Sequence, residues 1–286
     1  MNDTALRPPS VFSLAWRQTL RDFRAGELRL LALAVTLAVA ALSAVAFFSD
    51  RLNLGLARDA AALLGGDAVV GSDQPTPPEL LQRATGLGLR TATSAAFPSM
   101  GRAPDELGGA SRLVAVKAVS DGYPLRGHLR LKAAPDAPER ELAGAPVRGT
   151  VWVDAQLLEA LQLQVGDELL LGDSALRIAQ IIVLEPDRGT GFMSFAPRVM
   201  LNQADLPATG LVQPASRVSY RLALAAPAGR GAALRDYVAW AEQRIKAVPL
   251  RGVRVESLQS GRPEMRQTLD RAEKFLNLVA LLSALL

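Results

Sequence analysis

The chain holds a single imidazole, His128 in "YPLRGHLRL", so a two-histidine metal site is excluded and only one histidine base is available. A lone histidine beside an alternating run reads as structural or solvated. Carboxylates are more plentiful, with Asp73, Asp121, Asp154 and the Glu185-Pro186-Asp187 triplet all near expected turns. Turn carboxylates cap backbone N–H groups or face water, and no catalytic pair is read from them. No GxSxG elbow presents a nucleophilic serine, and neither "GLGLRT" nor "RGTGFMS" has the spacing of a phosphate loop. The cysteine count is zero, which removes disulfides and thiolate metal sites. A thiol-free chain also suits an oxidising compartment. The expectation is therefore a non-enzyme with no catalytic, cofactor or metal residues, any nucleotide being handled by another chain.

One loop stands out for the opposite reason. "DRGTGFMSFAPR", residues 187 to 198, places Phe192, Met193 and Phe195 in a glycine-rich stretch that should be polar. Either the three touch a partner or lipid, or they fold back as a plug in the core.

The elements that hold these residues begin with "LRLLALAVTLAVAALSAVAFFSDRL", residues 28 to 52. Leu30 to Phe48 is uncharged, and only Thr36 and Ser43 carry polar side chains. Nineteen helical residues cover ~28 Å, close to the hydrocarbon thickness of a bilayer. A signal peptide cut after Ala46 is the rival reading, but the run exceeds the usual apolar length and its leader is long. A retained anchor is expected. A second apolar run, "KFLNLVALLSALL", opens at residue 274, and this makes the chain read as the amino-terminal piece of a longer polytopic protein.

Residues 49 to 273 lie between the two runs and read as globular, with an aliphatic core. The net charge is +4, but arginines and acids are interspersed along the chain, so no nucleic-acid face is legible. Arg17, Arg21, Arg24 and Arg29 precede the first span and only Arg51 and Arg58 follow closely, which favours a cytoplasmic amino terminus and an external middle segment. In "SLAWRQTLRDFRAGE", Trp16, Leu20 and Phe23 form an apolar stripe beside Arg17, Arg21 and Arg24. That describes a helix in the headgroup layer or one that merely leads into the span.

Beyond Phe48 the helical period continues through Leu52, Leu56, Ala60 and Leu63 to a stop at Gly65-Gly66. Met265, Leu269, Ala272 and Leu276 repeat it near the second run, so two stalks are expected to face each other through Leu52, Leu56, Leu63, Met265 and Leu269. Between them, "GDAVVGSD" and "SRLVAVKAVS" read as strands and "TPPELLQRATGLG" as a helix. Residues 151 to 186 read as helix, turn, strand, tight turn, strand, and "ASRVSYRLALAAP" reads as a further strand. "ALRDYVAWAEQRIKA" is a helix expected to bury Leu234, Val238, Ala241 and Ile245. Irregular mixing of strands and helices predicts α+β.

This order of anchor, stalk, external domain, stalk and second span resembles the FtsX/MacB-type permeases of ABC transporters. The wording of "AWRQTLRDFRAGELRLLALAVTLAVAALSAVAFFSDRL", "VKAVSDGYPLRGHLRL", "EPDRGTGFMSFAPRVMLNQADLPATGLVQPASRVSYRL" and "RAEKFLNLVALLSALL" is similar to the large YbbP-like branch. The resemblance implies a MacB-like periplasmic core domain in an inner-membrane protein. It also implies a cytoplasmic ABC ATPase subunit as partner, work on hydrophobic or lipid-like material, contact with membrane lipid, and a periplasmic lysophospholipase-type esterase as a further associate. It assigns no residue-level binding site.

The expected organisation is a cytoplasmic segment 1–27, a span 28–48, a stalk 49–66, a periplasmic α+β core 67–260, a returning stalk 261–274 and the start of a second span 275–286. The expected function is a permease subunit coupling that ATPase to periplasmic handling or export. The alternative is a single-pass, membrane-anchored periplasmic binding or sensor module.

Overall fold

The computed structural model describes residues 11–189, 195–247 and 252–257, with Arg271, Lys274 and Leu278 as helical positions. The chain forms two compact units, Met1–Gly55 with Pro263–Leu286, and Leu56–Arg262.

α1 (Val11–Ala25) lies in the first unit and is followed after one residue by α2 (Glu27–Leu64), which belongs to the first unit up to Gly55 and to the second from Leu56. The break is Gly26 at φ 99°, a left-handed conformation that costs little only for glycine. The guanidinium of Arg29 lies 5.4 Å from the centre of the Phe23 ring and links the two helices across that break. α2 has 38 residues, ~57 Å at 1.5 Å per residue. Among the described residues it is the one helix long and apolar enough to cross a membrane, with a mean hydropathy of 2.5 and no burial in its most apolar window. Thr36 is accommodated there because its hydroxyl donates to the Ala32 carbonyl at 2.7 Å. The expected span and stalk are thus one unbroken helix, and it stops at the expected glycines. Gly65 N–H donates to Ala62 and Gly66 N–H to Ala61, each at 3.1 Å, with Gly65 at φ 75°. This is the paired-bond helix end that a left-handed glycine permits.

Among the described residues the second unit is built on an eleven-stranded sheet. Its elements after α2 are β1 (Ala68–Ser72), α3 (Pro78–Gly86), β2 (Arg90–Arg102), β3 (Ser111–Val119), β4 (Leu129–Lys132), β5 (Arg140–Leu142), β6 (Thr150–Asp154), α4 (Ala155–Leu161), β7 (Glu168–Leu171), β8 (Ser174–Leu184), β9 (Arg198–Asn202), β10 (Ser219–Ala225), α5 (Gly231–Ala247) and β11 (Arg254–Ser257). The strand order is β11-β1-β10-β2-β3-β9-β6-β8-β4-β5, with β7 pairing β2 and β8. Most neighbours are antiparallel, but β3 with β9 and β6 with β8 are parallel. The fold class is α+β, as expected.

Alternation sorts the core to two faces. Val114, Val116 and Ala118 of β3 point toward the side where α4 buries Leu157, Leu158 and Leu161. Val70, Leu222 and Leu224 meet α3 and α5 through Leu80, Ala84, Tyr237 and Ala241. The other parity, including Val69, Val119, Trp152 and Met200, meets Tyr123, Leu125, Leu129 and Leu64.

Two local expectations are corrected. The segment beginning at residue 151 opens with β6 before α4, because Thr150 to Asp154 is buried on both faces and its apolar residues serve sheet packing. In α5 the buried residues are Tyr237 and Ala241, whereas Leu234 and Val238 are half-buried and so is Ile245. Burial pushes the Tyr237 hydroxyl pKa up, and that hydroxyl donates to the Leu80 carbonyl at 3.1 Å.

Candidate functional site

β3 carries a charge inside its apolar alternation. Lys117 is 3% exposed, between Val116 and Ala118, and the pleat turns it to the face opposite α4. An ammonium there requires partners, since an unpaired buried charge is prohibitive. They come from the segment after β8. Lys117 Nζ lies 2.7 Å from Glu185 Oε1 and 2.9 Å from Asp187 Oδ1. It also donates to the Tyr123 hydroxyl at 2.9 Å and sits 4.5 Å from the centre of that ring, while the Tyr123 hydroxyl donates to Asp187.

The network continues through β9. Arg198 Nε donates to Glu185 Oε2 at 2.7 Å, and its backbone N–H donates to Asp154 Oδ2 at 2.8 Å. Asp154, at the end of β6, accepts from Arg188 Nη2 at 2.6 Å, and the same nitrogen reaches the Ala196 carbonyl at 3.2 Å. Lys117, Arg188 and Arg198 thereby balance Asp154, Glu185 and Asp187. Burial raises the pKa of Asp187, but the Lys117 ammonium and the hydrogen bonds from Tyr123 and Lys117 outweigh it and hold the carboxyl below its usual value. Burial and then the Asp187 and Glu185 charges push the Tyr123 hydroxyl well above its usual value.

The end of α2 is fastened against this cluster. Arg221 Nη2 donates to the Leu64 carbonyl at 3.3 Å, and the Leu125 N–H donates to the Gly65 carbonyl at 3.2 Å. Asp67 receives Arg126 Nε at 2.7 Å, Arg126 Nη2 at 2.8 Å and the Ala226 N–H at 2.9 Å. That pairing raises the Arg126 pKa, the Asp67 hydrogen bond being the main cause. Among the described residues these charges are matched, and what the cluster offers is a tie between segments. The cluster ties the end of a long helix to both ends of the 185–198 segment, and losing one member leaves a buried charge at a cost of about 3–5 kcal/mol.

A second feature is a groove of about 820 Å³ between α4 and the β8–β4 edge. Leu158, Leu163, Ile181 and Val183 give it apolar walls, with Lys132, Glu159 and Gln162 among its polar lining. The register of β8 against β4 slips at Val183, a bulge that leaves this valine exposed.

The expectation that turn carboxylates cap or solvate fails for Asp154, Glu185 and Asp187, which are 9%, 5% and 6% exposed. Their cations lie far away in sequence, so local spacing could not reveal them. The available signal was Lys117 within the otherwise apolar run Leu113–Val119. Asp73 and Asp121 are exposed, and so is His128. Among the described residues no group of three or more His, Cys, Asp or Glu could hold a metal. Trp16, Arg17, Arg21, Phe23 and Arg24 are exposed on α1, while the Leu20 side chain lies outside the described part. Leu52, Leu56 and Leu63 are exposed along α2, and Met265 and Leu269 lie outside the described residues. Phe195 is 81% exposed, and Phe192 and Met193 lie outside the described residues.

No protein-family model matches the chain. Over 266 residues, 93% of its length, it is 33% identical to an uncharacterized ABC transporter permease, YbbP, of Escherichia coli (strain K12), and it spans 31% of that relative's length. It is also similar to two solved structures. One is the periplasmic region of MacB from Actinobacillus actinomycetemcomitans, with TM-score 0.41, 10% identity, and 73% of this chain and 95% of that one covered. The other is a domain of a putative permease protein from Porphyromonas gingivalis, with TM-score 0.40, 12% identity, and coverages of 67% and 89%. On the near full-length sequence similarity, the chain belongs to the YbbP-like permeases of ABC transporters, of whose Escherichia coli member it spans about a third.

Proposed function

We propose that this chain is the membrane anchor and periplasmic domain of an inner-membrane ABC transporter permease, with its amino terminus cytoplasmic. A separate cytoplasmic ATPase supplies the energy, and the external domain handles or exports a hydrophobic or lipid-like substrate. The observation that carries the reading is α2, which is long and apolar enough to span and runs without a break to Leu64. The carbonyl of its last residue is held by Arg221, next to the buried Lys117–Asp187 pair. A rigid helix ending in such a clamp passes displacement on without a slack linker. The absence of any phosphate loop agrees with hydrolysis on another chain. The apolar groove beside α4 supports a hydrophobic cargo.

The test is recovery of a nucleotide-hydrolysing subunit. Affinity capture of the tagged chain from detergent-solubilised membranes should retain a cytoplasmic ATPase, and the chain alone should hydrolyse no ATP. Failure to retain one would leave the anchored binding or sensor module in place of the transporter. Sidedness is checked independently in intact spheroplasts. An impermeant maleimide should label Asp136→Cys directly and Gln18→Cys only after permeabilisation, and the reverse pattern would overturn the orientation.

A further inference from the structure

Phe12, Trp16 and Phe23 of α1 are 82%, 63% and 46% exposed. At about 100° per residue they fall within roughly 40° of one another around the helix. Arg17, Arg21 and Arg24 cluster about 130° further round. Three aromatic rings on one exposed stripe call for an apolar or amphiphilic surface. Chain connectivity says which. Only Gly26 separates α1 from α2, and Phe23 is five residues from Leu28, at most about 18 Å even if extended. The contact between Arg29 and Phe23 holds the junction closer than that limit.

We propose that α1 is an anionic-lipid-binding helix, in which Phe12, Trp16 and Phe23 seat in the membrane interface and Arg17, Arg21 and Arg24 engage phospholipid headgroups carrying net negative charge. The proposal rests on the reading that α2 spans the membrane. Aromatic seating alone would be satisfied by zwitterionic lipid. The arginines are what select charge, since residues 11–29 hold four arginines against two acids and three of the four form one stripe. Trp and Phe at headgroup level with Arg beside them match a negatively charged surface.

The experiment uses the full chain in nanodiscs, with Trp152→Phe and Trp240→Phe leaving Trp16 as the only indole. Brominated phosphatidylglycerol and brominated phosphatidylcholine compete as quenchers of its emission. The expected result is a preference for phosphatidylglycerol of about fivefold or more, the equivalent of one arginine near an anionic surface. The preference should shrink toward unity in about 0.5 M salt and in Arg17→Gln/Arg21→Gln/Arg24→Gln. Equal quenching by both lipids in low salt would overturn the charge recognition. No quenching by either would place α1 against protein and overturn the proposal entirely. If the tryptophan variant does not fold, nitroxides at Phe12→Cys and Gln18→Cys answer the same question. Position 12 should sit deeper than 18, and only in discs containing phosphatidylglycerol should the triple arginine change make it shallower; equal depths, or no response to that change, would overturn the proposal. Carbonate extraction of the chain from vesicles would instead show that α2 does not span, a failure distinct from any of these.

Discussion

Asp187 closes directly over the end of α2: a Cβ added at Gly65 would stand 3.0 Å from Asp187 Oδ2 and 3.2 Å from its Cγ. Gly65 is therefore required twice, once by its φ of 75° and once by the carboxylate above it. An L side chain at that φ costs about 1–2 kcal/mol, and displacing Asp187 from Lys117 adds to it. Gly65→Ala should lower the thermal midpoint of the detergent-solubilised chain by several degrees. An unchanged midpoint would mean that the helix end is not clamped.

Removing Lys117 takes from Asp187 its one ion-pair contact among the described residues and leaves it only the field of Arg221, whereas Glu185 keeps its ion pair with Arg198. Lys117→Met should cost about 3–5 kcal/mol in chemical denaturation, and Lys117→Met/Asp187→Leu clearly less than the sum of its parts. Strict additivity would show the two residues to be independent.

Tyr123 gives the domain an alkaline limb. Its pKa is raised on folding, so the folded state holds the proton more tightly than the unfolded chain. The resulting stability is fully present below the unfolded value of about 10 and is lost as pH rises from there through the folded value. Tyr123→Phe should flatten stability against pH above about 10, at the expense of two hydrogen bonds, one from Lys117 and one to Asp187. For Asp187 the sign reverses. Its pKa is lowered, so its contribution is present above about 3.9 and is lost as pH falls through the folded value. An alkaline limb identical in Tyr123→Phe and the parent would refute the assignment.

Local signals made much of this legible. The stop at Gly65-Gly66, the turn at Gly172-Asp173 and the helix begun by Pro78 each depend on residues within a turn of one another. β2 was not legible, since "RTATSAAFPSMGR" is mostly small residues with a central proline, and its pairing with β10, β3 and β7 is what makes it a strand. The ion cluster was hidden for the same reason. Lys117 meets Glu185 and Asp187 across 68 and 70 residues, a pairing that spacing cannot encode. The permease resemblance survived because it rested on long stretches of wording rather than on any one site.

Phe195 is 81% exposed. Phe195→Ser should change unfolding free energy by no more than about 0.5 kcal/mol, as for other surface positions. A loss of several kcal/mol would mean that the ring is buried in solution.

The grip of Arg221 on Leu64 also fixes an order of events during synthesis. The arginine lies 157 residues after the carbonyl it caps. At about 5–20 residues per second, roughly 8 to 30 s separate the emergence of the helix end from that of its fastener. Through that interval the last turn of α2 has only its own glycine cap, and Lys117, already made, waits for the carboxylates that follow it by 68 and 70 residues. If α2 spans the membrane as proposed, a ribosome stalled before residue 221 would leave a protein that is anchored but unclasped.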